Sequence, residues 1–174
     1  ATLACDARRS RMFSRQLIDA VAMIDEGRLD LADLRGSWAG AMGHTQFMPT
    51  TMRHYAVDYD RDGRIDLWRS LSDALASAAN YLNRMGWRPT EPWCEEVVLS
   101  DPRALEHAGY KTSKPVAPWT ALGVRRVDGS PLPDRPEAIS LLAPGGRTGP
   151  VFVTYPNFRV IMRWNASTNY ALAV

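Results

Sequence analysis

The chain has 174 residues, 45% of them hydrophobic and 23% charged, with a formal net charge of +2. That length suits one domain, or one domain with a small appendage, and the composition is that of a soluble globular fold. The small net charge and scattered arginines exclude a nucleic-acid surface, and no apolar run reaches the roughly 18 residues of a membrane span.

Residues 8–26 carry Met12, Phe13, Leu17, Ile18, Val21 and Ile24 at helical spacing, and Gly27 follows as a C-cap. Next comes "GSWAGAMGHTQFMPT" (36–50), which holds no charge but sets Ser37 and Gln46 among Gly36, Gly40 and Gly43. Pro49 opens a short helix, "PTTMRHYA". After an acidic stretch, "SLSDALASAANYLNRMGW" (70–87) reads as a helix with Ser70 or Ser72 as N-cap and Gly86 at its end. From Pro89 the texture changes. Strands are expected at 94–100, within 137–144 and within 149–155, with short helices at 116–124 and 156–165. The fold class is therefore α+β and mainly α-helical. A helical half runs to residue 88, and a small strand-containing section (89–174) sends its last helices back onto that half.

The sequence begins without methionine and ends on the helix-forming run "NYALAV", so it reads as the middle of a longer product. Cys5 and Cys94 leave two readings open, a single bridge in an oxidising compartment or two separate thiols. The three histidines are far apart in sequence and form no zinc motif.

"DYDRDGRID" places Asp58, Asp60 and Asp62 at alternate positions, followed by Gly63, Ile65 and Asp66. This is the order of an EF-hand loop, here 58–69: alternate carboxylates converge on a hard cation, and glycine permits the sharp turn. The Arg64 carbonyl would supply a further oxygen. Arg69 stands where the loop usually carries a bidentate glutamate, which leaves Asp73 as the remaining candidate ligand. The competing reading is an acidic turn neutralised by Arg61, Arg64 and Arg69.

The glycine-rich segment, the acidic loop and "DALASAANYLNRMGW" together resemble the lytic murein transglycosylase B family, as do "ATLACDARRSRMF" and "NFRVIMRWNASTNYALAV" near the two ends. The resemblance implies a lysozyme-like core, a structural calcium ion and no organic cofactor. It implies cleavage of the β-1,4 bond between N-acetylmuramic acid and N-acetylglucosamine in peptidoglycan, leaving 1,6-anhydromuramyl ends. Such chemistry uses one carboxyl as acid and then base, together with neutral groups that hold the sugar. Carried over residue by residue, the substrate-binding positions are Arg8, Arg9, Ser37, Gln46, Tyr81, Trp164, Asn165 and Tyr170. Trp164 replaces a tyrosine, which keeps stacking but loses a hydroxyl. Tyr81 can equally be a core aromatic.

The family's catalytic glutamate belongs to a short motif upstream of everything here, and no such motif occurs in this sequence. The resemblance therefore places the acid outside the chain, in an exported periplasmic or outer-membrane-anchored bacterial protein. That protein would act as a monomer on glycan strands beside periplasmic cell-wall synthesis proteins. Two other readings remain open: a non-catalytic, calcium-stabilised peptidoglycan-binding module, and an interaction module in which the calcium loop alone matters.

Overall fold

In the computed structural model, which describes residues 2–5 and 9–174, the chain divides into two units, Ala1–Arg84 and Met85–Val174. The first unit is helical: α1 (Thr2–Cys5), α2 (Ser10–Asp25), α3 (Pro49–Tyr55) and α4 (Leu71–Arg84), with a 3-10 turn at Leu31–Asp33. Polar side chains join these helices. Asp19, buried on α2, accepts from the Thr50 hydroxyl at 2.5 Å and from Arg53 at 3.0 Å. Gln16 accepts the Thr50 backbone N–H at 3.0 Å, satisfying one of the donors that the start of α3 leaves without a partner inside the helix. Ser77 on α4 accepts from the Val57 N–H at 3.0 Å, and Asn80 donates to the Tyr55 carbonyl at 2.8 Å. Only part of the apolar stripe on α2 is covered: Met23 is fully buried and Ala20 buried, while Ile18 and Val21 are 66% and 55% exposed.

The second unit is built on a four-stranded antiparallel sheet of order β2-β1-β4-β3, formed by β1 (Cys94–Leu99), β2 (Val124–Arg126), β3 (Ser140–Leu142) and β4 (Val151–Thr154). β1 sets Glu95 opposite Val153, and β3 sets Leu141 opposite the same residue. Val97, Val124, Leu141 and Val153 therefore share one dry core with Trp119 of α5 (Val116–Ala121). The Trp119 indole N–H reaches the Ile139 carbonyl at 3.1 Å, which satisfies its one polar atom. Pro156 opens α6 (Pro156–Trp164), and α7 (Thr168–Ala173) follows with Ser167 as its cap. Phe158, Ile161 and Ala171 from these helices pack with Leu142 and with Trp87 and Trp93.

Both cysteines are free thiols in this structure. Cys5 is exposed, whereas Cys94 is the first residue of β1, paired with Thr154. Burial, and then the nearby Glu95 carboxylate, push the Cys94 thiol up, away from the reactive thiolate.

Candidate functional site

The uncharged segment folds into a small β-loop. Met42 bridges to Gly36 on one side and to Phe47 on the other, and its backbone exchanges two hydrogen bonds with Phe47, at 2.8 and 3.0 Å. Phe47 and Met42 are the buried anchors, each 3% exposed. Ser37 and Gln46 are thus carried on one compact loop, both exposed.

Each is fixed by its backbone. The Ser37 N–H donates to the Ala41 carbonyl at 2.8 Å, and its hydroxyl oxygen accepts the Ala41 N–H at 3.1 Å. Gln46 adopts a left-handed conformation (φ 51), with its side-chain amide donating to the Gly43 carbonyl at 2.9 Å. A non-glycine residue held there is strained, and such strain concentrates where a side chain must be aimed. Gly43 explains the glycine-rich composition. Its φ is 65, and a Cβ there would lie 2.6 Å from both Cβ and O of Leu67. Leu67 is fully buried and its carbonyl accepts the His44 N–H at 2.8 Å.

Leu67 belongs to the acidic loop, so the two segments are packed together. In that loop Asp58, Asp60 and Asp62 each offer a carboxylate oxygen within 4.8 Å of the others. Asp58 Oδ1 is buried with no hydrogen-bond partner, while Oδ2 accepts the Gly63 N–H at 3.0 Å. Asp62 accepts the Arg64 N–H at 2.8 Å. Ser70 and Ser72 both donate to Asp60 Oδ2, at 3.0 and 3.2 Å, and the Ser70 contact holds the Asp60 carboxyl below the usual range.

The arginines do not neutralise this triple. Arg69 pairs with Asp33 at 2.6 Å and Asp66 at 3.2 Å, and among the described residues no ion pair reaches Asp58, Asp60 or Asp62. Three converging carboxylates with one orphaned oxygen suit a hard divalent cation. Asp73 stands apart from the triple. It is 1% exposed, and its two oxygens accept the N–H groups of Tyr59 at 2.8 Å and Asp66 at 3.0 Å. It is the strut that closes the loop from the first turn of α4. Ser70 caps that helix through the Asp73 N–H at 3.2 Å.

The remaining expected positions are carried by several elements. Arg8 lies outside the described residues. Arg9 is exposed and left-handed (φ 63) at the N-cap of α2. Tyr81 is buried, its ring 5.9 Å from Phe47 and 5.1 Å edge-on from Tyr55, so it braces the anchor of the loop. In the second unit Trp164 is half-buried at the end of α6, Asn165 is its exposed C-cap, and Tyr170 is 41% exposed on α7.

No glutamate among the described residues is buried. Glu26 pairs with Arg53, Glu91 and Glu137 with Arg88, and Glu95 with Arg126. Glu95 also accepts from the Tyr155 hydroxyl at 2.5 Å. Glu96 and Glu106 lie exposed. The sequence reading missed Ser72 as a partner of Asp60, although serines at both 70 and 72 were visible as helix caps.

The mixed helix-and-sheet fold that carries these two loops is that of the lysozyme-like lytic transglycosylases. Residues 1–174 match the Transglycosylase SLT domain family over their whole length, and the chain belongs to that family. It is 36% identical over 169 residues to membrane-bound lytic murein transglycosylase B of Escherichia coli K12, covering 96% of this chain and 45% of that protein. It is 45% identical to SltB3 of Pseudomonas aeruginosa, solved with NAG-anhNAM-pentapeptide, with a TM-score of 0.90 over 99% of this chain and 46% of that one. The Escherichia coli lytic transglycosylase SLT35, solved in complex with calcium, is 36% identical with a TM-score of 0.84, over 99% of this chain and 54% of that one. The chain thus spans about half the length of these relatives. No helix among its described residues is long and apolar enough to cross a membrane.

Proposed function

We propose that this chain is the sugar-positioning portion of a lytic transglycosylase that cleaves the β-1,4 bond between N-acetylmuramic acid and N-acetylglucosamine, leaving 1,6-anhydromuramyl ends. The observation that carries this is the uncharged loop holding Ser37 and Gln46 at fixed, exposed positions against Leu67. Relatives solved with muropeptides support it.

In this reaction the muramyl C6 hydroxyl attacks its own C1, so no water is activated and one carboxyl serves as acid and then base. Ser37 and Gln46 do not protonate a leaving oxygen at neutral pH. They orient the N-acetyl group and the oxocarbenium-like centre, and their pre-fixed geometry avoids reorganisation during reaction. Trp164, Asn165, Tyr170, Arg9 and Arg8 are proposed as further glycan contacts. The glutamates present are all spoken for by arginines or lie exposed, so the proton comes from a part of the enzyme outside these 174 residues.

Calcium is proposed to sit on Asp58, Asp60, Asp62 and the Arg64 carbonyl, with Asp73 supporting the loop or joining the ligand set. When bound it supplies charge neutralisation and a rigid cross-link. With a reduced ligand set its affinity falls in the range of roughly 10⁻⁴–10⁻³ M of extracellular modules. The setting is an exported enzyme of the periplasm or outer membrane.

The test is mass spectrometry of muropeptides released from cell-wall sacculi. The 174 residues alone should bind sacculi and release no anhydromuramyl ends. An enzyme that also carries the acid should release them, with Ser37→Ala and Gln46→Ala each slowing turnover by up to about 10²–10³-fold. Anhydro products from the 174 residues alone would show that one of the glutamates here is catalytic. Binding without cleavage by any longer form would instead favour the peptidoglycan-binding module.

A further inference from the structure

Two of the clefts on the first unit have linings that differ in kind. One, of about 910 Å³, is edged by Glu26, Arg28, Asp30, Asp33, Arg64 and Asp66. The other, of about 410 Å³, has no charged side chain among the described residues that line it. Its apolar wall is Phe13, Leu17, Leu34 and Met42, and its rim is the turn that carries Ser37 and Trp38.

Trp38 is 86% exposed. A single exposed apolar side chain needs no explanation by itself, but this one is not on a loose segment. The Gly40 N–H donates to the Ser37 carbonyl at 2.8 Å, which makes 37–40 a hydrogen-bonded turn with Trp38 near its tip. Gly40 has φ 90, and a Cβ on Gly36 would meet the Ala41 carbonyl oxygen at 2.3 Å. The turn is therefore fixed by its own backbone, and it presents a flat indole on the residue next to Ser37. The oxygen of that hydroxyl already accepts the Ala41 N–H, so its proton is left to donate outward.

We propose that Trp38 is a substrate-binding residue, a stacking platform for an uncharged N-acetylglucosamine ring seated at the neutral cleft with Ser37 on its rim. The indole face carries the negative side of the ring quadrupole, which meets the C–H face of a pyranose. A peptide-bearing muramyl ring would bring carboxylates to a lining that holds no cation among its described residues, where any carboxylate drawn in would be unpaired. The uncharged sugar of the repeating disaccharide fits. The proposal rests on the glycan reading above and adds to it which residue and which sugar.

The probe is chitotetraose, the neutral β-1,4 tetramer of N-acetylglucosamine, titrated into the 174-residue chain by calorimetry and by ¹H–¹⁵N spectra of the indole N–H groups. The Trp38 indole signal should shift on titration. Trp38→Ala should weaken binding by about tenfold, the scale of one aromatic contact, and Trp38→Phe by about threefold or less. Leu75→Ala, on the exposed face of α4, serves as the unaffected control. The amide spectrum reports whether Trp38→Ala keeps the fold; if it does not, Trp38→Phe and the wild-type indole shift decide. Chitotetraose bound with the Trp38 signal unmoved, or equally well by Trp38→Ala, overturns the proposal and leaves the glycan reading intact. A Trp38 shift given by a peptide-bearing muramyl disaccharide and not by chitotetraose overturns the choice of sugar. Binding to neither chitotetraose nor sacculi brings down the glycan reading, and this proposal with it.

Discussion

The two units are held together by different physics. In the second, Trp119, Leu141, Val153 and Phe158 are all fully buried, and the sheet and helices close over dry apolar cores. In the first, the stretch between α2 and α4 is held by carboxylates accepting backbone N–H groups, by arginine pairs and by a few anchors such as Met42, Phe47 and Leu67. The lesson is that the region proposed to position the sugar is also the one whose order depends on charge. A dry core is indifferent to calcium and to mild acid, whereas a loop of converging aspartates is not.

The sharpest way to break this contrast is through the second unit. Trp119→Ala should cost about 3–5 kcal/mol, as for other large aromatics removed from a core. Urea unfolding should show the same loss with and without calcium. A calcium-dependent loss would mean that the two regions do not differ as described.

Next in size is Gly43→Ala, which places a methyl group 2.6 Å from Leu67 in a left-handed conformation. Its cost should be about 1–3 kcal/mol, and glycan binding should fall along with stability. Calcium itself follows. If its dissociation constant is in the range 10⁻⁴–10⁻³ M, a 10 mM addition should stabilise the wild type by about 1.4–2.7 kcal/mol. Asp58→Ala should show no such gain in a thermal melt, and an equal rise in both proteins would refute the assignment of the ion.

These outcomes bear on what could be read from sequence. Helices α2, α3 and α4 were legible because their ends are punctuated locally, by Gly27, Pro49 and Ser70. The acidic loop was legible because its pattern lies within nine residues, 58–66. β2 was not, since three residues with two arginines carry no alternation. The role of Arg69 was hidden too, because its partner Asp33 lies 36 positions away. The helical spacing on α2 did not show that Ile18 and Val21 are exposed, because spacing shows which residues share a face and not what covers it. Of the candidate site, Ser37 and Gln46 stand out in the sequence by their odd company. That Tyr81 braces Phe47 needed the fold.

The smallest effect sharpens the contrast in acid. The Thr50 hydroxyl, and then Arg53, hold the Asp19 carboxyl below its ordinary value, and these contacts outweigh burial, which acts the other way. A carboxyl whose pKa is depressed by folding stabilises the fold above its unfolded value of about 3.9, and that contribution is lost as pH falls through the folded value. Asp19→Asn should therefore cost about 1 kcal/mol at pH 6. The deficit should be flat from about pH 5 to 8 and close only below about pH 4. A deficit that changes between pH 5 and 8 would contradict that origin.

The most direct measurement of the central claim, that the acidic loop supports the sugar-positioning loop, is amide hydrogen exchange with and without calcium. Calcium should slow exchange at His44, whose N–H reaches Leu67, and at Ala41 and Phe47, while β1 and β4 remain unchanged. Unchanged exchange across 36–50, or an equal slowing in the sheet, would contradict the account.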